Sequence, residues 1–196
     1  MGEIILGKIK YIKDLERLFE KSPVVDVNSI VRLIRNKKNV KQYQKQLIRN
    51  LVLKGRIKKL VKGFYTMHND PSLAVFCIKP SYLGLQDALS FHELWEQETI
   101  PVIITTRKVR PGIRKILGSN ILIRRIDKKY VFGINYEKQG DFYFPYSDIE
   151  KTFIDMIYFK QGISQEVRQE IIKKINMKKL NSYLKVYPKR FRKRFI

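Results

Sequence analysis

Between Val40 and Met67 the spacing of the apolar residues changes from that of a helix to that of a strand, and the change falls at Gly55. Up to Lys54, the residues Val40, Gln44, Leu47, Ile48 and Leu51 fall on one side of a helix turning about 100° per residue. Gly55 stands where a left-handed residue ends a helix. After it, Arg56–Val61 and Phe64–Met67 are two β-prone runs around Lys62-Gly63, a two-residue turn with glycine second, which predicts a hairpin.

Two further helices are expected upstream. Ile12, Leu15, Leu18 and Phe19 share one face of a helix over Tyr11–Lys21, which Ser22-Pro23 ends because the residue before a proline is pushed out of the helical region. A short Val24-Val25 segment follows. Asn28 or Ser29 is then placed to cap a short helix carrying Ile30, Val31, Leu33 and Ile34. Asn36-Lys37-Lys38-Asn39 reads as the turn, with Asn39 capping the third helix. Three helices followed by a basic hairpin is the order of a winged helix-turn-helix.

Charge is distributed as unevenly as hydrophobicity. The 196 residues carry 41 Lys+Arg and 18 Asp+Glu, a formal net charge of +23. Residues 1–67 hold 17 basic and 5 acidic side chains, residues 68–160 hold 13 and 11, and residues 161–196 hold 11 and 2. From Val27 to Asn69 there are 12 basic residues and no acidic one. A uniformly basic habit would have charged the middle as well, so the two ends are the expected polyanion contacts. No apolar run approaches the roughly 18–20 residues of a membrane span. The N-terminus lacks a signal-peptide stretch, so we expect a cytoplasmic protein that makes no membrane contact.

The outward side of the third helix carries Gln42, Lys45, Gln46 and Arg49, with Lys41 on its flank. Gln pairs bidentately with adenine, and Arg or Lys with guanine, so these side chains suit the major groove. No Glu interrupts them, although surface helices usually mix signs to form i,i+4 pairs. In the hairpin, Arg56, Lys58, Lys59 and Lys62 are expected to reach phosphates or the adjacent minor groove, contacts that position a protein without specifying sequence.

The middle segment opens at Asp70-Pro71. Leu73–Ile78 is a short apolar run, and Tyr82–Leu85 leads into a helix holding Ala88, Leu89, Phe91, Leu94 and Trp95. Strands are predicted at Pro101–Thr106, Ile121–Ile126, Tyr130–Ile134 and Phe142–Phe144. Ser147, with Glu150 three residues on, reads as a capping box for a helix through Phe159. The expected fold class is α+β: a winged helix-turn-helix over 1–67, a small α+β sheet domain over 71–160, and basic C-terminal helices over 161–196.

Two stretches together resemble the AbiEi family of antitoxins, transcriptional regulators of bacterial and archaeal defence systems. The first is Gln46–Met67, with its leucine-rich helix, glycine exit and basic-Gly-apolar-Tyr hairpin. The second runs through Tyr82, Ala88-Leu89, His92, Val102–Arg107, Phe132-Gly133 and Pro145, and ends in Glu150-Lys151-Thr152 and Asp155. The resemblance spans roughly residues 11–160. It implies a repressor that binds double-stranded operator DNA at inverted repeats, as a monomer or homodimer. It also implies an antidote to a nucleotidyltransferase toxin in an antiviral toxin–antitoxin system. In that family the C-terminal helices are associated with neutralisation, and here they are short and unusually basic.

No catalytic chemistry is legible, and no cofactor or metal is expected. His68 and His92 lack metal spacing, and there is no phosphate-cradling glycine loop, no GxSxG and no Cys-His pair. Cys77, the only cysteine, lies in an apolar run and reads as a small buried hydrophobe. His92 reads as a helix-surface or domain-interface residue. Asp148, Glu150 and Asp155 could bind magnesium, but more simply Glu150 is a cap, Lys151 pairs with Asp148 or Asp155, and Asp155 faces solvent or the other domain.

In the tail, Ser164 caps one helix and Met177–Tyr187 forms another, closed by Pro188. Lys189, Arg190, Arg192, Lys193 and Arg194 alternate with Phe191 and Phe195 as candidate secondary nucleic-acid contacts, the rings stacking on bases or sugars. Partner docking and a frayed terminus are the other readings of this segment. An RNA-binding subunit that uses the tail is the alternative to a DNA regulator.

Overall fold

The computed structural model of the chain describes residues 3–34 and 39–195, with side chains from Tyr11 onward. The turn expected at Asn36-Lys37-Lys38 lies outside the described residues. The chain forms two compact units, Met1–Cys77 and Ile78–Ile196.

The first unit contains α1 (Glu3–Lys21), β1 (Val25–Asp26), α2 (Val27–Leu33), α3 (Val40–Leu53), β2 (Lys58–Val61) and β3 (Phe64–Thr66). Leu15 and Phe19 of α1, Ile30 of α2, and Leu47, Ile48 and Leu51 of α3 close on Val25, Ile34 and Ile57 in one apolar core. The cap of α2 is neither Asn28 nor Ser29. Asp26 sits in extended backbone and its Oδ1 accepts the Ser29 N–H at 2.8 Å, since a carboxylate three residues ahead reaches the free helix donors. Asn39 does occupy the N-cap of α3, with left-handed φ of 58° and no side-chain cap bond; its carbonyl accepts from Gln42 and Tyr43.

Gly55 ends α3 at φ +66°. The Gly55 N–H donates to the Val52 carbonyl and the Arg56 N–H to that of Leu51, each at 3.0 Å, the two bonds of a Schellman stop. The chain therefore leaves the helix in a fixed direction and enters β2. Gly63, at φ +84°, turns β2 into β3, and the register slips between Lys59 and Val61. β3 also pairs with β1, giving a three-stranded antiparallel sheet in the order β1-β3-β2. A 3-10 turn over Pro71–Cys77 completes the unit and buries Leu73, Val75 and Cys77.

The second unit contains β4 (Ser81–Leu83), α4 (Leu85–Phe91), β5 (Val102–Thr105), β6 (Gly112–Ile116), β7 (Ser119–Arg125), β8 (Ile134–Gln139) and β9 (Phe142–Ser147). Four helices follow: α5 (Ile149–Tyr158), α6 (Gln165–Lys174), α7 (Met177–Leu184) and α8 (Lys189–Arg192). The six strands form one sheet in the order β6-β7-β5-β4-β9-β8. β4 runs antiparallel to β5 and parallel to β9, and β5 runs parallel to β7. All four residues of β5 are buried, as the continuous apolar run Val-Ile-Ile-Thr requires of an interior strand. The chain is thus mixed α+β, with two sheets.

The segment Tyr130–Ile134 is not a strand. Lys128–Tyr130 is a 3-10 turn, Tyr130 is buried, and Gly133 is left-handed at φ +64°, so pairing begins only at Ile134. A Cβ at Gly133 would lie 2.8 Å from the Tyr183 ring and 2.9 Å from Asp148 Oδ2, which leaves room for glycine alone. The tail helices belong to this unit's main core. Ile171, Ile175, Leu180, Leu184 and Tyr187 pack with Tyr82, Leu85, Leu89, Phe153 and Ile154.

Candidate nucleic-acid interface

The buried side of α3 is Leu47, Ile48 and Leu51, so its opposite side must face water. Lys41, Gln42, Lys45, Gln46 and Arg49 are all exposed there. Tyr43 lies edge-on to Tyr11 of α1 with ring centroids 6.0 Å apart, and burial followed by the neighbouring Tyr11 raises its pKa. This contact joins α3 to α1, whose Leu15 and Phe19 share the core with Leu47, Ile48 and Leu51.

Two grooves flank the strip. The first, of about 320 Å³, lies between α3 and the hairpin, and joins Lys45 and Arg49 of the helix to Lys59 and Tyr65 of the strands. The second, of about 300 Å³, lies toward α1 and is lined by Gln46, Asn50, Lys54 and Arg56 around Leu47 and Leu51. The structure therefore brings Lys45, Arg49 and Lys59 to one groove, and Gln46 and Arg56 to the other. Lys41 and Gln42 stand exposed in the first turn of α3, and Lys62 stands exposed at the hairpin turn.

The four hairpin cations are not equivalent. Arg56 Nη1 is paired with Glu16 Oε1 of α1 at 2.8 Å, and the Lys58 ammonium donates to Asn69 Oδ1. Lys59 and Lys62 make no ion pair among the described residues. Exposed pairs such as Arg56–Glu16 contribute little to stability, but a guanidinium engaged in one must leave its carboxylate to reach another anion.

Two residues of this surface escape the helical-wheel argument. Leu53 is 73% exposed, one turn beyond Arg49 on the same strip, and Val52 beside it is 38% exposed. A strip that ends in an uncovered leucine can meet a thymine methyl as well as base-edge donors and acceptors. The i+4 spacing from Arg49 was the signal for Leu53. Tyr65 had none, because its direction depends on the slipped register of the hairpin.

The carboxylates of the second unit are occupied by its own side chains. Asp155 is wholly buried instead of facing solvent. Its Oδ2 accepts from the Tyr82 hydroxyl at 2.7 Å and its Oδ1 from the Lys151 ammonium. Burial pushes the Asp155 carboxyl up and the Lys151 ammonium down, each opposed by the other's charge. The cap of α5 is Asp148, whose Oδ1 accepts the Lys151 N–H at 2.8 Å. Ser147, expected in that role, is the last residue of β9 and turns its hydroxyl to Thr152 at 2.7 Å.

Asp148 Oδ2 also takes Tyr183 Oη at 2.9 Å and Lys179 Nζ at 3.0 Å, both from α7. Burial and then the Asp148 bond push the Tyr183 hydroxyl up to about 12. Glu150 is no cap of its own helix. It accepts the Asn176 N–H at 2.8 Å and pairs with Lys179 at 3.2 Å, so it ties α7 to α5. His92 Nε2 lies 2.8 Å from the Ser147 carbonyl. Among the described residues no three His, Cys, Asp or Glu side chains converge to hold a metal ion.

In the tail, Lys189, Arg190, Lys193 and Arg194 are exposed and Arg192 is half-buried. The rings between them turn inward. Phe191 stacks on Tyr187 at 4.8 Å, and Phe195 meets Phe153 edge-on at 5.4 Å. They help to cover the core, so they offer no stacking platform of the kind expected from the alternation of charge and ring. No helix among the described residues is long and apolar enough to cross a membrane. Neither the models of known protein families nor the curated proteins give a match to this chain.

Proposed function

We propose that the chain is a sequence-specific DNA-binding transcriptional regulator whose first unit works as a winged helix-turn-helix. α3 enters the major groove and presents Gln42, Gln46 and Arg49 to base edges, while Lys59 and Lys62 of the hairpin hold the backbone. The observation that carries this is the groove in which Lys45 and Arg49 of α3 meet Lys59 of the hairpin, within a stretch that has no acidic residue between Val27 and Asn69. A solvated helix of no function would mix signs along its exposed side.

The motif likeness to AbiEi antitoxins supports a more specific role, that of a repressor of its own operon. The operator is an inverted repeat bound by a monomer or homodimer, and the cognate toxin is a nucleotidyltransferase. In this role the protein is not an enzyme and requires no cofactor. The inward-turned tail rings weigh against the RNA-binding alternative, which needs bases stacked on those rings.

Footprinting and binding titrations on the DNA upstream of the gene, against random duplex and structured RNA at matched salt, test the proposal. Protection of one site is expected, with Gln46→Ala or Arg49→Ala relaxing preference at one base pair by about 1–3 kcal/mol. Equal loss on operator and random duplex, or tighter binding of the RNA, overturns it.

A further inference from the structure

We infer that the C-terminal helices form a docking groove for an acidic amphipathic helix of a partner protein. The groove holds about 500 Å³ and is bounded by α7 and α8. Its apolar floor is Leu180, Leu184 and Phe195, extended by Met177, which is 56% exposed. Met177, Leu180 and Leu184 are spaced i, i+3 and i+7, so their side chains form one stripe along α7.

Every charged residue of the rim is a cation, beside the neutral Asn181. Lys185, Lys189, Arg192 and Lys193 line the rim, with no carboxylate among the lining residues. None of the four makes an ion pair among the described residues. Asp148 and Glu150 at the start of α5, which face α7, both hold Lys179. Among the described residues the rim charge is therefore unanswered, and the occupant is the one to bring the anions.

The floor decides between anions. A nucleic acid needs ring faces for its bases, and the one ring that lines the groove, Phe195, is set edge-on against Phe153 at 5.4 Å and Phe191 at 5.5 Å. Aliphatic side chains and a methionine instead suit the apolar face of a helix, as in helix-in-groove recognition, where anchors at i, i+3 or i+4, and i+7 enter the floor. Asp and Glu on the flanks of that helix meet the four rim cations. This inference is independent of DNA binding, which lies in the other unit.

The test uses the full chain and a fluorescent synthetic helix with Leu at i, i+3, i+4 and i+7 and Glu or Asp on both flanks. Its controls are a scrambled peptide of the same composition, polyuridine, and vesicles containing phosphatidylglycerol. The striped helix is expected to bind at least ~10-fold more tightly than its scrambled form, because area burial requires the stripe and charge alone does not. Met177→Glu and, separately, Lys189→Glu with Arg192→Glu should each abolish that preference while leaving the thermal midpoint unchanged. Equal binding of striped and scrambled peptides, absence of binding, or binding of polyuridine or vesicles that the same variants remove would overturn the inference.

Discussion

Lys151 and Asp155, four residues apart on α5, form an ion pair in which both side chains are 0% exposed, and Tyr82 donates to the remaining carboxylate oxygen at 2.7 Å. The pair joins the helix to the central strand β4, because Tyr82 lies in that strand. Removing one partner leaves a charge with no water to solvate it. Asp155→Ala should therefore destabilise the second unit by about 3–5 kcal/mol, while Lys151→Met with Asp155→Leu recovers most of the loss. Urea unfolding followed through Trp95, the only tryptophan, measures both. A double variant no more stable than Asp155→Ala would show that the pair is not the cause.

The anchorage of α7 should fail in alkali. The folded unit raises the Tyr183 hydroxyl to about 12, against an ordinary value of 10.0. Above pH 10 the unfolded chain thus releases a proton that the folded chain keeps, so the contribution is complete below pH 10 and is lost on the way to about pH 12. Tyr187, raised by burial and then by Asp155, acts in the same direction. The urea midpoint should fall as pH rises from 9 to 11, and Tyr183→Phe should flatten that fall. An unchanged slope in the variant would refute the assignment.

Hairpin cations should differ in their contribution to DNA binding. Lys59→Ala and Lys62→Ala should each reduce the slope of log affinity against log salt by about one, and weaken all sequences alike. Arg56→Ala should reduce it by less, because its guanidinium faces Glu16. Anisotropy titrations over a salt series measure the slopes. Equal effects of all three would mean that the Arg56–Glu16 pair opens on DNA.

The last turn of the chain should be structural on one side and dispensable on the other. Phe191 packs on Tyr187 and Tyr158, so Phe191→Ala should cost about 2 kcal/mol, less than a fully buried phenylalanine because the ring is only half covered. Arg190 is exposed, and Arg190→Ala should change stability by no more than about 0.5 kcal/mol. Thermal midpoints decide this. A neutral Phe191→Ala would indicate a frayed terminus.

What the sequence revealed follows the range of the forces involved. The end of α3 at Gly55 and the Lys62-Gly63 turn were legible because they are settled within a few residues by backbone conformation. Strand β6 was missed because Gly-Ile-Arg-Lys-Ile leaves three of its residues exposed, so its pattern is that of a loop. Strand β8, at the sheet's edge and mostly polar, was displaced toward the apolar Tyr130–Ile134, where burial comes from Tyr187 and not from pairing. The burial of Asp155 was hidden for a similar reason, since Tyr82 lies far away in sequence. In the candidate interface the strip on α3 was legible from its period. The engagement of Arg56 by Glu16 was not, because it joins the hairpin to a helix at the other end of the unit.

The central strand β4 has one neighbour close behind it in the chain, β5, and another that arrives late, β9, where Leu83 meets Tyr146. On a ribosome, every partner of the first unit has emerged by Cys77, whereas the second sheet waits for β9 and its helical cover for α7. Loop-closure entropy makes the late pairing the slow one. Each molecule thus passes through a stage of synthesis at which the basic helix and hairpin are complete while the sheet that follows is still open along β4. Translation that ends early, at any codon between the two, would release a finished cationic head on an unfinished body.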